Sequence, residues 1–153
     1  AGVDLLVAET MMAPDETMVI LDAAAEVCEL PVLCSLTIES DGSLFFGGNI
    51  YDAAEALEAV GADAVGCNCS VGPEQLEAVI AGIRKRVSIP VIAKPNAGMP
   101  KITDTGEAVY HMEPEEFALH MEALYKAGAS VLGGCCGTDP EYIRALCEKI
   151  SAS

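Results

Sequence analysis

Five short apolar runs recur along the chain, "VDLLVAE", "PVLCSLTI", "ADAVGCNC", "PVIAKP" and "ASVLGGCC", starting near positions 3, 31, 62, 90 and 129. Each is nearly continuous in apolar residues, the pattern of a strand buried on both faces. Amphipathic stretches of helical length lie between them. Strand–helix alternation repeated five times calls for a parallel sheet with crossover helices. An α/β fold of two kinds satisfies it, a doubly wound open sheet or a (β/α)8 TIM barrel. The first needs the strand order to reverse at one point and the second does not.

The helix boundaries are written in the same repeating way. Ala13-Pro14-Asp15-Glu16, Gly72-Pro73-Glu74-Gln75, Glu113-Pro114-Glu115-Glu116 and Asp139-Pro140-Glu141 each put proline and acids where a helix begins. Proline there loses no hydrogen bond, and the acids meet the positive end of the helix dipole. A further helix is expected from about Asp52 to Val60. Gly61 and Gly128 mark helix ends, and Arg84-Lys85-Arg86 closes another helix at its negative end. The opening "AGVDLLV" repeats the helix-to-strand junctions "VGADAVG" and "AGASVLG", and no initiating Met precedes it. The expectation is therefore a C-terminal fragment. In a barrel, residues 1–153 would form units four to eight of a partial domain, with β4–β8 present and the N-terminal units missing.

Charge excludes one class of function. Twenty-four acids face eight bases, scattered apart from Arg84-Lys85-Arg86, for a formal charge of −16, whereas nucleic-acid binding needs clustered Lys and Arg. No apolar run approaches the roughly 18 residues of a membrane span, so neither nucleic acid nor membrane is an expected partner. Seven cysteines, an odd number set partly in apolar runs, fit a reducing, cytoplasmic setting better than a disulfide framework.

Chemistry in parallel α/β folds collects at the C-terminal ends of the strands. Those ends here read Glu9-Thr10, Ser35 and Thr37, Asn68-Cys69, Lys94-Pro95-Asn96 and Cys135-Cys136. All five can face one rim. Cys69 and the adjacent Cys135-Cys136 pair are 66 residues apart, so only tertiary structure can join them. Three thiolates would leave one tetrahedral zinc position open, the mark of a catalytic site. Gly133, Gly134 and Gly137 would let the backbone aim two neighbouring thiols at one ion. Other readings stand beside this one. The pair could be core thiols or a vicinal disulfide, and Cys67 could join to close a site of four cysteines. Glu9 alone could cap a helix, and Asn96 could form a turn. Cys28, Cys34 and Cys147 read as packing residues, while His111 and His120 are given no role. The segment from Asn96 to Glu113, which includes Tyr110, is long enough to cover a ligand. A phosphate-binding use of the glycines is the weaker idea, since no G-x-G-x-x-G follows a strand and no base is expected nearby.

"GCNC", "KPNAG" and "GGCCGT" at three successive strand ends, with "VAETM" near the start, resemble the homocysteine S-methyltransferase family over about Gly2 to Ile150. Within it, the chain is most similar to the homocysteine-binding domain of cobalamin-dependent methionine synthases or to stand-alone bacterial relatives. The resemblance implies a (β/α)8 barrel that binds Zn2+ and activates homocysteine as a thiolate for methyl transfer, giving methionine. Cys69, Cys135 and Cys136 match the metal ligands, Glu9 a carboxylate for the substrate ammonium, Asn68 a residue positioning the ligand cysteine, and Asn96 a substrate contact or occupant of the open zinc position. The methyl donor stays open among methylcobalamin, S-methylmethionine and betaine, and a cobalamin or folate module could lie on another domain. The isolated fragment is expected to be inactive. The alternative is a non-catalytic α/β protein whose cysteine-bound zinc is structural.

Overall fold

The five apolar runs pair, in chain order, into one parallel sheet. A computed structural model describes residues 2–152. Its main sheet comprises β1 (Leu6–Met11), β2 (Val32–Leu36), β3 (Ala64–Asn68), β4 (Val91–Lys94) and β7 (Val131–Leu132), in the order β1-β2-β3-β4-β7. The helices α1 (Pro14–Val27), α2 (Ile50–Val60), α3 (Glu77–Arg86), α4 (Pro114–Lys126) and α5 (Pro140–Ser151) alternate with these strands. The strand order never reverses. That removes the doubly wound alternative and leaves the singly wound arrangement found in part of a TIM-type barrel.

Register divides the sheet into two faces. Ala8, Cys34, Val65 and Val91 align across four strands, and all four belong to the main core with Leu57, Ile80, Ile83, Phe117 and Leu124 from the helices. Each helix packs on the next, α1 on α2 through to α5, so the helices form one layer. Ser35, Gly66, Ile92 and Val131 align on the opposite face, outside that core. The C-terminal rim of this second face carries the polar residues.

Most boundary signals hold, and the departures have local causes. Proline lies in the first turn of α1, α4 and α5, but Pro73 instead opens a 3-10 turn, Pro73–Gln75, ahead of α3. Helix α2 starts at Ile50 because Asn49 caps it, its side chain accepting from the Asp52 N–H at 2.9 Å. Gly61 and Gly128 take left-handed conformations after their helices. The first strand begins at Leu6, where its N–H meets the Pro31 carbonyl; Val3 and Leu5 before it are exposed. The segment from 96 to 113 contains a small antiparallel hairpin, β5 (Lys101–Ile102) with β6 (Ala108–Val109). Cys34 is buried as expected, whereas Cys147 is exposed on the surface of α5. No helix among the described residues is long and apolar enough to cross a membrane.

Gly66 is the tightest point of the sheet. A Cβ there would sit 2.0 Å from the Ile92 carbonyl oxygen, so β3 and β4 could not keep their present spacing with any side chain. Gly66→Ala should lower the unfolding free energy by about 2 kcal/mol, the scale of core overpacking. Urea denaturation checks this, and a change within about 0.5 kcal/mol, the range of a neutral surface substitution, would contradict it.

Candidate functional site

One buried carboxamide organises the rim. Asn68, at the end of β3, is 1% exposed. Its Oδ1 accepts the Thr10 N–H at 2.9 Å and the Ser35 hydroxyl at 2.7 Å. Its Nδ2 donates to Thr10 Oγ1 at 2.7 Å and approaches Cys135 Sγ at 3.8 Å. A single side chain thus ties β1 and β2 to the loop after β7. Next to it, the Thr37 and Ser70 hydroxyls bond one another.

The backbone at this rim is strained. Thr10, Cys69 and Ser70 have φ of 58°, 63° and 60°, and they are the only non-glycine residues with positive φ among those described. Such conformations cost on the order of 1 kcal/mol or more each and persist only where the surroundings enforce them. The turn at Cys69 breaks strand alternation. Cys67 still follows that alternation, aligned with Leu36 and Ala93 in the helix-side core. Cys69 instead swings to the rim, its N–H held by the Lys94 carbonyl at 3.1 Å. Cys67 therefore does not join the cluster, and the four-cysteine site loses its fourth member.

Cys69, Cys135 and Cys136 offer sulfur atoms that all lie within 4.8 Å of one another. The Cys69–Cys136 separation is 3.7 Å, and no disulfide is present among the described cysteines. A tetrahedral ion with sulfur bonds of about 2.3 Å holds its ligands roughly 3.8 Å apart, so the donor set fits zinc. Cys136 is exposed, which leaves one side of the cluster reachable. Burial is the chief cause that pushes the Cys69 thiol up to about 11; the Ser70 backbone N–H works against it, and the neighbouring Cys136 and Cys135 thiols add to it. Cys67 is pushed up to about 12 by burial alone. Three adjacent thiolates repel, so only a cation among them makes full ionisation favourable.

Asn96 is 3% exposed and holds the cysteine pair from below. Its Oδ1 accepts the Cys136 N–H at 3.1 Å, while the Cys135 N–H goes to the Pro95 carbonyl at 2.8 Å and the Ala97 N–H to the Cys136 carbonyl at 2.9 Å. In this geometry the Asn96 oxygen is engaged with backbone. Gly137, at φ 81°, lies under Tyr110, where a Cβ would come within 2.3 Å of the ring. Burial, then the adjacent Cys136, holds the Tyr110 phenol above its ordinary 10.0. The segment after the hairpin thus reaches the thiols.

The rim also holds a pair that local sequence patterns do not reveal. Lys94 Nζ forms an ion pair with Glu9 Oε1, and the Lys94 side chain passes close to Gly133. A base therefore does stand beside the glycine loop. His111 and His120 lie outside the thiol cluster.

Residues 1–150 match the sequence model of a family described as homocysteine S-methyltransferase. This chain belongs to that family. Two similar proteins are methionine synthase of Mycobacterium leprae (strain TN), 35% identical over 123 residues, and homocysteine S-methyltransferase 4 of Zea mays, 29% identical over 155 residues. The first alignment covers 80% of this chain and 10% of that protein, the second 98% and 45%. Among solved structures, the homocysteine methyltransferase MmuM from Escherichia coli matches in its oxidized form with a TM-score of 0.77 at 26% identity, over 97% of this chain and 46% of that one. Its metallated form matches with a TM-score of 0.76 at 25% identity, over 95% and 44%. The chain thus spans less than half the length of these relatives.

Asn68→Leu keeps the volume of the side chain and removes every polar contact. It should cost about 2–4 kcal/mol, since the buried Ser35 hydroxyl and the Thr10 N–H lose their partner. Chemical denaturation of the metal-free protein measures this. A loss below about 0.5 kcal/mol would show that the amide does not organise the rim.

Proposed function

We propose that this chain carries the zinc-binding, homocysteine-activating part of a homocysteine S-methyltransferase, a partial (β/α)8 barrel domain corresponding to units four to eight. The observation that supports it is the open trio of sulfurs at the strand ends, in a chain of this family. Cys69, Cys135 and Cys136 would hold Zn2+. The chemistry the ion supplies when bound is Lewis acidity, which takes the substrate thiol, otherwise near pKa 8.5, to its nucleophilic thiolate at neutral pH.

The chain's own residues prepare that chemistry. Asn68 fixes the strand end from which Cys69 turns outward, and its Nδ2 approaches the Cys135 sulfur. Asn96 holds the backbone of Cys136, which makes it a positioning residue in this reading. Glu9, on the same face and half exposed, offers a carboxylate to the homocysteine ammonium. Tyr110, beside Cys136 and over Gly137, would flank the thiols on one side. Methyl transfer would form the bond between the substrate sulfur and the methyl carbon as the donor's own bond to that carbon breaks, giving methionine and the demethylated donor.

A purely structural zinc site is the second reading. It calls for a closed ligand set, and the confinement of Cys67 to the core argues against one. Cobalt substitution separates the two. Co2+ titrated into the protein should give thiolate charge-transfer absorption that Cys69→Ala, Cys135→Ala or Cys136→Ala abolishes and Cys67→Ala retains, and homocysteine should change the spectrum. Loss of the absorption in Cys67→Ala, or a spectrum unmoved by homocysteine, would overturn the proposal.

A further inference from the structure

Of the eight basic residues, Lys94 alone lies in the main sheet; the other seven belong to α3, β5, α4 and α5. It aligns with Asn68 across β3 and β4, and its carbonyl holds the Cys69 N–H. Glu9 precedes Thr10, which binds Asn68 on the other side. The ion pair Lys94–Glu9 therefore bridges β1 and β4 across the two strands between them, beside the thiols. Adjacent strands lie about 4.8 Å apart, so both side chains must extend along this face to meet. Gly133 leaves room for this, since a Cβ there would come within 3.2 Å of Lys94 Cγ.

The pair is open to solvent, with side-chain exposures of 26% for Lys94 and 45% for Glu9. Exposed ion pairs contribute little to stability, so a ligand can replace this one readily. An α-amino acid is suited to do so. Its ammonium competes with Lys94 for Glu9, and its carboxylate, one carbon away, supplies the anion that the released Lys94 then lacks. One ion pair becomes two, and the charge of the site stays balanced.

Resting on the homocysteine reading above, we propose that Lys94 recognises the substrate carboxylate, forming with Glu9 a zwitterion clamp that selects an α-amino acid thiol over thiols carrying only one charge. The bridge seen here is the clamp in its substrate-free state. Lys94 is then a specificity-determining residue whose partner changes on binding.

Calorimetric titration of the zinc-loaded protein, in its full natural chain, tests this with three thiols: homocysteine, 3-aminopropane-1-thiol without the carboxylate, and 4-sulfanylbutanoate without the ammonium. Lys94→Met should weaken homocysteine about tenfold or more, the loss of one charge-assisted contact, with zinc content unchanged. It should leave 3-aminopropane-1-thiol within about twofold, and Lys94→Arg should recover much of the homocysteine affinity, because the charge returns. Equal weakening of homocysteine and 3-aminopropane-1-thiol, or no change in either, overturns the clamp while leaving zinc and homocysteine binding intact. A wild-type protein that binds none of the three thiols overturns the functional reading itself, and the clamp with it.

Discussion

The rim depends on a buried carboxamide with every polar group engaged. Asn68 joins β1, β2 and the loop after β7 through one planar group that offers two donors and an acceptor oxygen. A buried amide left unpaired is costly, so the network has one favourable arrangement and resists drift. That constraint also supports the left-handed backbone at Thr10 and sets the strand end from which Cys69 turns. Strain at three rim residues persists because these contacts over-determine their positions.

The second organising feature is the division of the sheet. Its helix-covered face is a packed apolar core, and this face sets strand order and spacing. The other face carries small residues, Ser35 and Gly66, beneath a polar rim. A side chain at Gly66 would separate β3 from β4, and the spacing between Asn68 and Lys94, which brings the rim residues together, would go with it. Packing on one face thus positions chemistry on the other.

Much of this was legible in the sequence, for identifiable reasons. The five strands and most helix ends follow from apolar runs, proline and glycine, all of which act locally. Glu9, Asn68 and the Cys135-Cys136 pair were placed at strand ends by the same logic. The sequence pointed to Cys69 but left Cys67 open as a fourth ligand, because strand alternation puts both on one face; alternation holds only while the backbone stays extended, and it stops at Cys69 with φ of 63°. The Lys94–Glu9 bridge was equally hidden, since the two residues lie 85 positions apart and meet across two intervening strands. The carbonyl side of Asn96 turned out to serve the Cys136 backbone, a contact set by loop conformation and not by residue type.

The central claim is that three sulfurs form a site with one position left for a substrate thiol. X-ray absorption at the zinc edge of the metal-loaded protein tests it directly. Three sulfur neighbours at about 2.3 Å with one lighter atom should become four sulfurs when homocysteine is added. Four sulfurs before homocysteine, or a coordination shell that homocysteine does not alter, would contradict the account.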